Sequence, residues 1–279
     1  MNSIVKFFVV FLILLPIACK NKQTKVSTIE ETSVDLQMID AYKEGLKELE
    51  TGDALFAVKK FNEAELLYPQ SLWAPRASLM SAYSYYSQNY YLETIRELER
   101  YFKTYPKHNR KDYAYYLLAM SHYNQIIDET KDLGPIEEAK KYFQIIVSEY
   151  PNTEYAADSE FKLEAIEEIL AAKEMYLAKY YIEREKWIPA INRYKNIIDK
   201  YQTTIFIEEA LHRLVEIHYR IGLIEESKKY ANLLGYNYQS GQWYEQSYKI
   251  FNKNYKKVSK SKKRKSKNLT LEKIKSLLK

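Results

Sequence analysis

The sequence predicts an all-α protein of about five stacked helical pairs, and three observations carry that reading. First, 279 residues contain only 6 Gly and 7 Pro beside 28 Tyr and 46% hydrophobic residues. A β-sandwich or barrel needs a turn signal roughly every ten residues, so that class is excluded. Second, small and aromatic residues recur in a register marked by Pro69, Pro106 and Pro151, spaced 37 and 45 positions apart. Third, the stretch from Glu154 to Glu174 contains neither Gly nor Pro.

The same counts exclude several functions. The two closest glycines, Gly235 and Gly241, are six positions apart, so no GxGxxG, P-loop or GxSxG spacing exists. One cysteine allows neither an internal disulfide nor a cysteine-based zinc site. His108, His122, His212 and His218 form no i, i+4 pair, which removes a helical HExxH-type metal site. His122 falls on a packing position. Glu164, Glu167 and Glu168 cluster on a helical stretch and read as a solvated face. No nucleophile has an evident base, so neither catalysis nor a metal or cofactor is expected.

The chain opens with Lys6 and the apolar run Phe7 to Ala18, too short to span a bilayer comfortably and suited to a signal-peptide core. Pro16-Ile17-Ala18-Cys19 follows. It resembles the lipobox of bacterial lipoproteins, with Pro16 where Leu is usual, and the resemblance implies acylation of Cys19 and tethering to a lipid bilayer. An incidental thiol behind an ordinary signal peptide is the competing account. The boundaries expected are a signal peptide over 1–18, an acylated Cys19 with a polar leash over 19–40, repeats over 41–252, and a basic tail over 253–279.

From Ala41 the repeats begin. Gly45, Gly52-Asp53, Ala57, Phe61, Ala64 and Pro69 fall at tetratricopeptide spacing, where small residues let two antiparallel helices approach and proline ends the second. The second unit carries Ala82, Tyr85, Asn89 and Pro106; the third carries Ala119, Ala139, Phe143 and Pro151, with an insertion expected at Asp128 to Pro135. The fourth keeps Ala178, Tyr181, Trp187, Ala190 and Tyr194, has Gln202 in place of the terminal proline, and follows one long helix expected from about 154 to 184. A weaker fifth unit has Gly222 at its turn, then Ser227 and Ala231. Such pairs stack into a superhelix with a groove lined by first helices.

Groove-facing register positions hold Arg76, Tyr83 and Tyr86 in the second unit and Tyr113, Tyr116 and Tyr123 in the third. Tyrosine supplies rigid apolar area and a hydroxyl at low entropic cost, which suits a surface that grips an extended peptide. Packing between helices is the alternative use of the same rings.

Residues 253–267 carry eight Lys and Arg264 without an acid, and the whole tail holds +11. With +6 for the full chain, residues 1–252 hold −5. Two readings of the tail stand: a solvated like-charge block, or attachment to anionic lipid or an acidic partner. Nucleic acid is not an expected partner of an exported chain.

Signal, leash and repeats together resemble the BamD family, lipoprotein subunits of the β-barrel assembly machinery of Gram-negative outer membranes. The closest segments are Tyr83-Ser84-Tyr85-Tyr86, Ser148 to Tyr155, and Tyr180 to Trp187 followed by Ile191-Asn192-Arg193. The resemblance covers Ala41 to Leu234 and implies a non-enzymatic, periplasm-facing subunit at the outer membrane. Its N-terminal repeats would receive unfolded outer-membrane proteins, and its C-terminal repeats would dock a periplasmic domain of a BamA-like barrel protein. The family's docking arginine matches Arg193, and Arg184 and Trp187 lie on the same unit; packing is the other account of Trp187. Another lipid-anchored repeat scaffold serving envelope synthesis is the competing function.

Overall fold

The computed structural model describes residues 33–128, 134–238 and 241–252. Eleven helices and no strand occur among them. The first pair is α1 (Val34–Thr51) and α2 (Ala54–Leu67), and the second is α3 (Ala74–Ser87) and α4 (Tyr91–Thr104). Then come α5 (Lys111–Tyr123) with α6 (Gly134–Glu149), and α7 (Glu154–Glu183) with α8 (Trp187–Lys200). The fifth pair is α9 (Ile207–Arg220) and α10 (Ile224–Asn237), and α11 (Gln242–Phe251) closes the stack against α9. The fold is a tetratricopeptide-repeat superhelix, as expected.

Small residues allow the close approach within each pair. Ala57, Ala64 and Ala77 surround the fully buried Phe61, and a Cβ at Gly45 would stand 2.9 Å from the Phe61 ring. Any larger residue at 45 would force that ring out of its site. Phe143 fills the same role between α5 and α6, with Ala139 and Ala119 beside it.

Four of the turns within pairs are built alike. Gly52, Asn89, Glu185 and Gly222 all have φ between 55° and 92°. The residue after each donates its backbone N–H five positions back: Asp53 to Glu48, Tyr90 to Tyr85, Lys186 to Tyr181 and Leu223 to His218, at 2.8–3.1 Å. This is the Schellman arrangement, in which a left-handed residue stops one helix and the next starts two residues later. The connections between pairs share another signature. Tyr68, Tyr105, Tyr201 and Tyr238 occupy the C-caps of α2, α4, α8 and α10.

Two boundaries differ from the sequence reading. The first helix starts at Val34, inside the segment expected as leash, because Ser33 caps it, with Oγ accepting from the Leu36 N–H at 3.4 Å, and Met38 is buried against Phe61 and its neighbours. One buried residue in a polar run leaves no visible stripe. Gly134 and Pro135 belong to the first turn of α6 instead of to an insertion; residues 129–133 of the expected insertion lie outside the described residues, as do the signal segment, Cys19 and the basic tail. The long helix runs from Glu154 to Glu183, capped by Thr153, whose Oγ1 accepts from Ala156 N–H at 3.2 Å. It is ~45 Å long.

Candidate functional site

The first helices α3, α5 and α7 place five of the six expected groove residues in one aromatic field. Tyr113 and Tyr116 both meet Tyr155 of α7, with ring centroids 5.6 and 5.1 Å away. Tyr86 lies tilted against Tyr91, with centroids 5.8 Å apart, and accepts a hydrogen bond from Asn124 Nδ2 at 3.0 Å. Tyr116 donates to Asp158 Oδ2 at 2.7 Å, and Tyr123 lies between Phe143 and the ammonium of Lys162. Tyr83, Tyr86 and Tyr113 also pack on the core of the second repeat, and Tyr116 and Tyr123 on that of the third. The five rings are half-buried, each with one side on a repeat core. Burial raises the phenol pKa of Tyr86, Tyr113, Tyr116 and Tyr123, so these hydroxyls stay protonated and can donate.

Arg76 stands apart from this field. It sits two turns earlier on α3, stacked on Trp73 at 5.3 Å. Its charge is felt at Tyr42 and His108.

The three residues expected to dock a partner each make a different set of contacts. Arg184 folds back on α7, with its guanidinium 3.5 Å from the Tyr180 ring centroid and a hydrogen bond to the Tyr180 carbonyl. Trp187 packs on the fourth-repeat core beneath the Arg220 guanidinium. Arg193 does not stand free at the helix-pair edge, because its Nη1 reaches both oxygens of Glu174 on α7, at 3.2 and 3.4 Å. Asn196 donates to the same carboxylate.

Sequence reasoning missed a cleft of 1050 Å³ between α7, α9 and α11, with Tyr176, Lys179, Trp187, Arg213, Glu216 and Arg220 on its walls. Its wall residue Glu216 has Oε1 3.4 Å from His212 Nε2, and His212 Nδ1 lies 2.8 Å from Ser247 Oγ. This hydroxyl–imidazole–carboxylate line has the composition of a hydrolytic triad, but Ser247 is 1% and His212 2% exposed. The line instead fastens α11 to α9, with Trp243 packed on the imidazole at 5.2 Å. The i, i+4 spacing of His212 and Glu216 was visible in the sequence; Ser247, 35 positions on, was not.

The acidic cluster on α7 also differs from expectation. Glu164 is exposed, but Glu168 Oε1 accepts from the Ile205 N–H at 3.1 Å while its Oε2 is buried with no hydrogen-bond partner. Burial raises its pKa. Among the described residues no group of three His, Cys, Asp or Glu could hold a metal ion, and no helix is long and apolar enough to cross a membrane.

A helical-repeat scaffold with an aromatic face on its first helices is the class these features define. The chain belongs to the YfiO family, described as outer membrane lipoprotein, whose match covers residues 34–234. It is 37% identical over 237 residues to the outer membrane protein assembly factor BamD of Caulobacter vibrioides, covering 85% of this chain and 76% of that one. The BamD of Rickettsia prowazekii is 35% identical over 237 residues, covering 85% of this chain and 92% of its own. That of Neisseria gonorrhoeae is 30% identical over 213 residues, with 73% and 79% covered.

Proposed function

We propose that this chain is a non-catalytic, lipid-anchored subunit of the outer-membrane β-barrel assembly machinery, facing the periplasm. The observation that carries the reading is the likeness to outer membrane protein assembly factors across 85% of the chain, with the family match running from the start of α1 into α10. Unfolded outer-membrane proteins are received on the tyrosine field, where half-buried rings with protonated hydroxyls suit an extended segment rich in aromatic side chains. A BamA-like barrel protein docks on the fourth and fifth pairs. Trp187 and the cleft beside it supply apolar area; Arg193 supplies charge, since both its contacts to Glu174 use a single nitrogen at long range. Acylation of Cys19 holds the assembly at the membrane.

Purification from membranes under mild detergent tests this. The parent should carry with it a large barrel protein with tandem periplasmic domains. Arg193→Glu, which sets a carboxylate beside Glu174, should lose most of that partner, and Cys19→Ser should move the protein to the soluble periplasmic fraction. A parent that isolates no barrel protein overturns the assembly role, and a Cys19→Ser chain that still floats with salt-washed membranes overturns the anchor.

A further inference from the structure

The exposed apolar side chains of the first repeat gather at one edge of the stack. Antiparallel pairing puts the start of α1, the end of α2, the 68–73 connection and the start of α3 side by side. Ser71 Oγ reaches Met38 Sδ at 3.3 Å, and Trp73 meets Tyr42 of α1 with centroids 5.1 Å apart. On this edge Leu72 is 86% and Leu66 77% exposed, with Val34, Leu36 and Tyr68 also open and Trp73 at their border. Such a cluster of large apolar groups around an aromatic pair is not a usual solvent surface.

Cations flank it. The next connection, 105–110, lies against the same edge: Tyr105 donates to Glu65 of α2 at 2.7 Å, and burial, followed by the Arg76 charge, lowers the pKa of His108. That connection and its neighbours carry exposed Lys103, Lys107 and Arg110, while Arg76 stacks on Trp73. Asp35 and Asp112 are the acids in the first turns of α1 and α5 there.

The chain enters the fold at this same edge, at Ser33. Ser33 lies fourteen positions after Cys19, a reach of at most about 50 Å. We propose that this edge is an interfacial bilayer contact: Leu36, Leu66, Leu72 and Trp73 sit in the headgroup boundary, and Lys103, Lys107 and Arg110 meet anionic headgroups. The inference rests on the reading of Cys19 as the anchor and adds a second point of attachment, which fixes the orientation of the repeats to the membrane. A tether alone restrains distance; an apolar wedge with a basic rim restrains the angle.

The chain from Cys19 onward, with its single thiol coupled to a maleimide lipid, can be placed on phosphatidylcholine–phosphatidylglycerol vesicles with brominated acyl chains. Because coupling is chemical, this measurement does not depend on acylation in cells, so its outcome is separate from that of the Cys19→Ser fractionation. Bromine quenches indoles at the acyl boundary, and Trp187 and Trp243 serve as references in the same molecule. Quenching of the parent should fall by about half or more in Trp73→Phe and in a Leu36→Ser, Leu66→Ser, Leu72→Ser chain with unchanged helicity. Lys103→Glu with Lys107→Glu should lower it on anionic but not on pure phosphatidylcholine vesicles, the basic tail being the same in every chain. If brominated lipid quenches the parent no more than Trp73→Phe, the edge does not touch the bilayer.

Discussion

Arg100 of α4 grips Glu65 of α2 through two 2.7 Å bonds, Nη1 to Oε1 and Nη2 to Oε2, and so ties the first helical pair to the second. Glu65 is 6% exposed and also accepts from Tyr105, while Arg100 Nη2 donates to Ser78. The carboxylate raises the pKa of the guanidinium, which stays charged. Removing Glu65 would leave the Tyr105 hydroxyl without its acceptor and Arg100 with only Glu97 and Ser78 as partners. Because the Arg100 side chain retains access to water, Glu65→Ala should cost about 2–3 kcal/mol, the low end for a broken buried pair. Urea midpoints compare it with the parent; an unchanged midpoint would show that the pair adds no stability.

Glu185 holds φ 55° in the turn between α7 and α8, where the equivalent turns use Gly52, Asn89 and Gly222. A left-handed conformation costs a side-chain-bearing residue about 1 kcal/mol relative to glycine. Glu185→Gly should therefore stabilise the fold by up to about that amount and raise the melting temperature by ~2–4 °C. Gly222→Ala, at φ 84°, should move it the other way.

Tyr83 and Tyr86 can be removed without severing a bond to a charged group, whereas Tyr116 holds Asp158. Replacing Tyr83 and Tyr86 together by Ala should weaken crosslinking to peptides from the last strand of outer-membrane proteins by about tenfold, the scale of one aromatic anchor. Helicity should be near normal. Equal crosslinking in parent and variant would assign the rings to packing alone.

Glu216 is held at a pKa of about 2, below its ordinary 4.5, first by its contact with His212 and then by the Arg213 guanidinium at 2.7 Å. The depressed value has a definite sign. The carboxylate adds stability that is complete above pH 4.5 and is lost as pH falls toward 2. Hydrogen exchange in α9 and α11 should quicken across that window, and Glu216→Gln should flatten the response.

Much of the architecture was legible because repeat packing is local. Ala57, Phe61 and Ala64 announce an interface through spacing alone, and the uninterrupted 154–183 stretch could only be one helix. The missing parts depend on chain segments that meet only after folding. Glu65 finds Arg100 across 35 positions, and His212 finds Ser247 across 35. Arg193 looked like a free charge because Glu174, on the preceding helix, is not recognisable as its partner without the turn geometry. The tyrosines resisted a choice between surface and core because each ring is half-buried, packed on a repeat core on one side.

The unbroken α7 makes the two halves of the molecule keep phase. Its early residues, Ala156 and Ile166, pack with the third pair, and Ala178 packs with the fourth. No joint intervenes between the end that carries Tyr155 and Asp158 and the end that leads to Trp187. One residue added midway would turn everything beyond it by ~100° and advance it by ~1.5 Å, leaving both surfaces intact but facing different directions. The helix is thus a gauge that sets the angle between what arrives at one end of the scaffold and what is held at the other.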